Sequence, residues 1–187
     1  HAITFDWHRG HLALDAPGIA SFTGFFGELR EGSFAFANGA RISEVEVINP
    51  EGIPYPVTPD EAYVSISVVA SDGTSLADCT RAVATAVSTS FNPGFILDPT
   101  RSNQGRQDAG PAEVPAREFW GAWMASPGKG DALVARVSCR LAHPDLVGMR
   151  YILRDFFLRE IGSGAVPAEG LVIPGDREVF LVDLRRD

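Results

Sequence analysis

The segment DALVARVSCRL, residues Asp131–Leu141, alternates small or apolar side chains with others more regularly than any other part of the chain. Every second position from Leu133 to Leu141 is small or apolar, whereas the positions between them include Arg136, Ser138 and Arg140. This period of two predicts a β-strand that buries one face and exposes the other. We therefore expect a sheet built around this strand.

Further segments have the composition of strands and lie on both sides of Asp131–Leu141. Asn38-Gly39 separates two of them, which is the typical sequence of a two-residue hairpin turn. The predicted strands are Ala2–Trp7, Ile19–Leu29, Ser33–Ala37, Arg41–Ile48, Ala62–Ala70, Leu171–Ile173 and Glu178–Leu184.

Two segments show apolar residues at helical spacing instead. The first is Leu76–Val87, which Thr74 or Ser75 could cap. The second begins at Pro144 and continues to Gly162. Residues 97–117 form a long polar stretch that predicts a loop. The sequence thus predicts an α+β fold: a mostly antiparallel β-sheet, barrel or sandwich, with two or three helices packed against it, in a single domain over residues 1–187.

Composition restricts the class of protein further. The chain has 187 residues, a formal net charge of −8 and 45% hydrophobic residues, which is typical of a soluble acidic globular protein. The negative charge argues against a general binder of nucleic acid or of anionic membranes. No run of 18 apolar residues occurs, so no transmembrane helix is predicted.

The chain has two cysteines, Cys79 and Cys139, which could pair in an exported protein or could be buried thiols.

A possible metal site lies near the start of the chain. Asp6 and His8 are two apart and would share a face of the first strand, and His11 follows the turn at Gly10. One carboxylate and two imidazoles are ligands that zinc and other transition metals accept. A polar strand face leading into a turn explains the same residues without a metal.

His1 suggests a second metal hypothesis. A bulky first residue indicates a mature end left by proteolysis, or the remnant of an expression tag. An N-terminal His offers its α-amine and its ring to one metal ion. In this first residue alone the chain resembles copper-dependent polysaccharide monooxygenases and some periplasmic copper carriers. The resemblance implies copper, or another transition metal, bound by His1 with a second histidine such as His143 or His8.

Two further groups of residues could contact a ligand or partner. Trp120 and Trp123 would form a platform if exposed and part of the core if buried.

Arg136 and Arg140 share a face of the central strand and could meet the arginines of the second predicted helix in one anion-binding cleft. Surface ion pairing is the alternative. The helix arginines are Arg150, Arg154 and Arg159.

No complete enzyme motif is present: the chain lacks a phosphate-binding loop, a Gly-x-Ser-x-Gly elbow and a Gly-x-Gly-x-x-Gly turn. We therefore expect a non-enzymatic structural or binding subunit that acts through protein partners or self-association. It could be a viral or phage particle component or an exported module. Two alternatives stay open: an exported copper or transition-metal protein, and a small-molecule enzyme with an aromatic-lined pocket. That pocket would use Phe22, Phe25, Phe26, Trp120 and Trp123.

Overall fold

The computed structural model describes residues 2–6, 10–25, 32–56, 63–73, 75–105 and 119–186, and in 97–105 and 119–123 it describes the backbone only. These residues contain fourteen β-strands and one turn of 3₁₀-helix at Pro144–Leu146. The strands are β1 (Ala2–Asp6), β2 (His11–Ala16), β3 (Ile19–Phe25), β4 (Ser33–Ala35), β5 (Arg41–Ile48), β6 (Tyr63–Ala70), β7 (Arg81–Phe91), β8 (Phe95–Gly105), β9 (Phe119–Pro127), β10 (Leu133–Ala142), β11 (Arg150–Arg154), β12 (Glu160–Ala165), β13 (Leu171–Ile173) and β14 (Leu181–Arg185).

The chain divides into two compact units. Unit 1 comprises residues 1–50, 56–89 and 134–187 and holds a curled antiparallel sheet. Its strands follow the order β1-β2-β3-β6-β7-β10-β5-β4, while β14 joins β7 to β11, β12 pairs with β11, and β13 pairs with β10. Unit 2 comprises residues 51–55 and 90–133 and contains the two-stranded β8–β9 ribbon.

The central strand is where the sequence places it. In β10, the side chains of Ala135, Val137, Cys139 and Leu141 are buried, and the residues between them are partly exposed. Val137, Cys139 and Leu141 pack in one continuous core whose largest fully buried members include Phe22, Ile42, Ile66 and Leu184. Burying each such side chain stabilises the fold by about 1.5–3 kcal/mol.

The hairpin predicted at Asn38-Gly39 forms, but its connection is longer than two residues, because the strand pairing ends at Ala35 and Arg41. Strands β4 and β5 pair as antiparallel neighbours, and Gly39 between them has φ +96°. Asn38 reinforces the turn: its side-chain amide donates to Ala16 O at 2.8 Å and Ile19 O at 3.1 Å, and its Oδ1 accepts from Ala40 N at 3.0 Å.

The prediction of an α+β fold is wrong, because the described residues contain no α-helix. The predicted helix Leu76–Val87 is instead a short turn followed by β7. From Ala82 onward this segment alternates buried alanines with the β-branched Val83, Thr85 and Val87, which favour a strand. Of the apolar residues at helical spacing, Val83 and Val87 lie on one face of that strand and Ala86 on the other, whereas Leu76 and Cys79 precede it.

The second predicted helix, from Pro144 to Gly162, is also wrong. Only one 3₁₀ turn forms before β11 and β12, which pair as a hairpin. Gly148 has φ +80° and Leu158 has φ +62°, and neither angle fits a continuous helix. Asp155 and Arg159 form an ion pair at 2.6 Å that joins the two sides of the hairpin turn. The loop predicted at residues 97–117 is also partly wrong, because residues 97–105 belong to strand β8. Residues 106–118 lie outside the described part.

Candidate interaction surface

One face of the sheet in unit 1 points away from the core, and its described side chains are uncharged except for Arg81. Because directly opposite residues in paired strands lie on the same side of a sheet, the strand register defines this face. We call the outward side chains of β1, β2, β3, β6 and β7 the open face. Its two complete rows run Phe5, Leu12, Thr23, Ser65, Val87 and Ile3, Leu14, Ser21, Ser67, Thr85.

Large apolar side chains are exposed on the open face. Ile3 is 77% exposed and Phe5 is 64% exposed on the outermost strand. Phe25 and Tyr63 lie opposite each other on β3 and β6 and pack edge to face, with ring centroids 5.3 Å apart. Val69 and Val87 are exposed as well. Among the described residues of these five strands, Arg81 at the start of β7 is the one charged side chain on this face.

Four of the hydroxyl groups between these apolar residues bond to one another in pairs across strands. Thr23 Oγ1 lies 2.8 Å from Ser65 Oγ, and Ser67 Oγ lies 2.9 Å from Thr85 Oγ1. A hydroxyl that already has a partner keeps its hydrogen bond when water leaves. The open face can therefore be covered by another surface at a low cost in desolvation.

An arginine row borders the open face where β7, β14 and β11 run side by side. Arg81 lies directly opposite Arg185, and Arg185 lies directly opposite Arg150. Arg154, four residues further along β11, lies on the same side and is opposite Leu181. We call Arg81, Arg185, Arg150 and Arg154 the arginine cluster.

Asp183 is the carboxylate in the middle of this cluster, and it is 5% exposed. Its Oδ2 accepts from Arg185 Nη2 at 2.6 Å and lies 3.5 Å from Arg154 Nη2, while Oδ1 lies 3.6 Å from Arg81 Nη2. Burial raises the pKa of Asp183, but the hydrogen bond and charge of Arg185, with the charge of Arg81, outweigh burial and lower it. Asp183 is therefore ionised at neutral pH, and the cluster of four arginines around it keeps a surplus of positive charge.

The sequence-predicted arginines separate into different surroundings. Arg150 and Arg154 join the arginine cluster, together with Arg81 and Arg185, which the sequence did not single out. Arg140 bonds to Glu44 instead, with Nε 2.9 Å from Oε1, and this bond lowers the pKa of Glu44.

Arg136 contributes to a cavity of about 30 Å³ that Phe156 and Phe180 also line. This space is sufficient for about one water molecule. The sequence predicted that Arg136 and Arg140 would share a cleft with arginines on a helix at residues 144–162. The described residues contain no such helix, so the basis of that prediction is lost.

The predicted metal ligands are only partly within the described residues. Asp6 and His11 lie directly opposite each other on β1 and β2. His11 is 5% exposed, packs against Phe22 and Phe34, and has a buried Nδ1 with no hydrogen-bond partner in the described part. His1 and His8 lie outside the described residues.

His143, the proposed partner of His1, uses both ring nitrogens elsewhere. Its Nδ1 accepts from Asp145 N at 3.1 Å, so Nε2 carries the proton and donates to Asn38 O at 3.0 Å. Within the described part of the chain, no three His, Cys, Asp or Glu side chains gather in a group that could hold a metal ion.

The residues proposed for an aromatic pocket do not converge where they can be traced. Phe22 is fully buried in the core, whereas Phe25 lies on the opposite side of β3. Phe26 and the side chains of Trp120 and Trp123 lie outside the described residues. An open cleft of about 410 Å³ in unit 2 is lined by residues that are not ionisable: Ser90, Phe91, Asn92, Phe95, Met124, Pro127 and Ala132.

No protein family, curated protein or solved structure matches this chain. In the described residues, no helix is long and apolar enough to cross a membrane. The sequence analysis did not predict the open face. Alternate positions of the five segments contain no acidic residue, but this pattern identifies a common face only when the strand register is known.

Proposed function

We propose that this chain is a protein-binding module and that the open face is its contact surface. The observation that carries the proposal is that the described side chains of this face include no carboxylate and one charged group, Arg81, in a chain with a formal net charge of −8. Solvated sheet faces normally carry polar and charged side chains, and large exposed apolar patches mark binding sites. The side of the sheet beneath this face is already filled by core residues such as Phe22 and Ile66.

The dimensions of the open face support a contact with another protein. Five strands about 4.8 Å apart and five residues along each strand give a footprint of roughly 350 Å². A standard interface buries about 800 Å² on each partner. The open face therefore supplies about half of such an interface, and the adjoining arginine cluster extends it.

The charge distribution favours a different protein over a second copy. In two copies related by a two-fold axis, each open face would meet its own surface. That surface carries arginines at one border and, among the described residues of β1, β2, β3, β6 and β7, no outward carboxylate. The arginines would then remain unpaired, so a partner of complementary charge fits better.

Site-specific photo-crosslinking tests the proposal. A benzoylphenylalanine is placed at Tyr63, which is 48% exposed at the start of β6 on the open face, and the protein is irradiated in extracts of its native source. The matched control carries the same group at Phe157, which is 77% exposed in the β11–β12 turn. We expect one defined protein to be crosslinked from position 63 and not from position 157, and the purified pair to form a complex by light scattering.

Two outcomes contradict the proposal. One is a chain that stays monomeric and gives no crosslink from position 63. The other is the same set of crosslinked proteins from both positions, because that result indicates nonspecific apolar contact.

A further inference from the structure

We propose that the arginine cluster is a docking site for an acidic segment of the partner protein, with carboxylates bound by the row Arg81–Arg185–Arg150. This inference rests on the proposed function and names the chemistry of the partner. It begins from the register: three arginines lie directly opposite one another on three adjacent strands. Like charges in directly opposite positions destabilise a sheet, so this row is costly without an anion.

The protein itself supplies too little negative charge to neutralise the row. Asp183 is shared by Arg81, Arg154 and Arg185. Arg150 is exposed and forms no ion pair with any described residue.

The acids next in sequence or register are already engaged elsewhere. Asp72 accepts from the hydroxyl and amide of Thr80 and from the amide of Arg81, and Glu160 accepts from the Ser163 hydroxyl.

The guanidinium groups are placed to bind a second surface. The side chains of Arg81 and Arg185 are 56% and 45% exposed, although both reach towards Asp183. Guanidinium groups present several donors in a planar fork that matches a carboxylate. Each arginine therefore keeps donors for an incoming anion.

The width of the row favours an acidic protein segment over a single small oxyanion. Two steps between strands span about 10 Å, which exceeds the reach of one phosphate ion. Acidic side chains at alternate positions of an extended segment lie about 7 Å apart and could contact two arginines each. The neighbouring row of Val83, Asp183 and Ile152 connects the cluster directly to the open face, so one partner could cover both.

Peptide binding tests this inference without the natural partner. The probe is fluorescein-labelled hexaglutamate, with labelled hexaglutamine as the uncharged control, measured by fluorescence anisotropy. We expect hexaglutamate alone to bind, with an affinity that falls as salt is raised. Arg150→Gln should weaken binding about fivefold, and Arg150→Gln with Arg81→Gln more than tenfold. Arg41→Gln, at an exposed position on β5, is the matched control and should change affinity less than twofold.

The outcomes separate this inference from the proposed function. Equal loss in the Arg41 and Arg150 variants, or equally strong competition by inorganic phosphate at matched ionic strength, would overturn the acidic-segment assignment. The crosslink from position 63 is measured independently, so it can succeed while peptide binding fails. Thermal unfolding of each variant confirms that binding is compared between folded proteins.

Discussion

At the scale of single residues, Asp183 is the side chain on which the arginine cluster depends. It is a nearly buried carboxylate that accepts two hydrogen bonds from Arg185 and lies within 4 Å of Arg81 and Arg154. Removing one partner of such a group leaves the remaining charges uncompensated. The arginines reach water, so part of that cost is relieved by hydration.

Asp183→Asn should therefore lower the free energy of unfolding by about 2 kcal/mol, less than the ~3–5 kcal/mol typical of fully buried pairs. Because the pKa of Asp183 is lowered in the folded state, its contribution is complete above the unfolded pKa of about 3.9 and is lost as pH falls through the folded pKa. Urea unfolding at neutral and acidic pH measures both effects. Asp176→Asn, at an exposed ion pair with Arg177, is the control and should change stability little.

The two cysteines give a second prediction at this scale. Cys79 and Cys139 are buried thiols that do not pair, and burial raises the pKa of both, that of Cys139 to about 12. At pH 8 the thiolate fraction of Cys139 is about 10⁻⁴. We expect no reaction with a disulfide reagent in the folded protein and two reactive thiols per chain in urea. Rapid modification of Cys139 before unfolding would contradict the burial of its thiol.

At the scale of elements, β7 shows how a helical spacing can arise in a strand. Its inward residues Ala82, Ala84 and Ala86 are small, so the larger side chains at 83 and 87 produce an i,i+4 pattern on the other face. A count of apolar positions does not distinguish a helix from a strand of this kind. The β-branched residues at alternate positions do distinguish them, because such residues favour a strand.

Substitution within β7 distinguishes strand from helix directly. Ala84 is fully buried, so Ala84→Leu should overfill the core and lower the free energy of unfolding by about 2–3 kcal/mol. Val87→Leu, on the open face at 41% exposure, should change it by less than about 0.5 kcal/mol. Chemical denaturation measures both, and Ala84→Val provides a smaller step if the leucine variant does not fold. In a helix whose apolar face carries Leu76, Val83 and Val87, position 84 would lie off that face and would tolerate leucine.

At the scale of the whole molecule, some strands were predictable and their arrangement was not. Local alternation identifies β10, and the Asn38-Gly39 turn identifies the β4–β5 hairpin, because both signals reside in a few adjacent residues. The arginine cluster combines β7, β14 and β11, and Arg81 and Arg185 are separated by more than one hundred positions in the chain. Only the register brings them together, so no sequence window contains that site.

The Asn38-Gly39 turn has a consequence for the chemical ageing of the protein. Asparagine before glycine is prone to deamidation because the following residue does not obstruct attack by its backbone nitrogen on the side-chain carbonyl. Here the Asn38 amide is held by the carbonyls of Ala16 and Ile19 and by Ala40 N. We expect peptide mapping after long incubation to find position 38 intact in the folded protein and converted to aspartate or isoaspartate in urea. Conversion at equal rates would show that the fold gives this amide no protection.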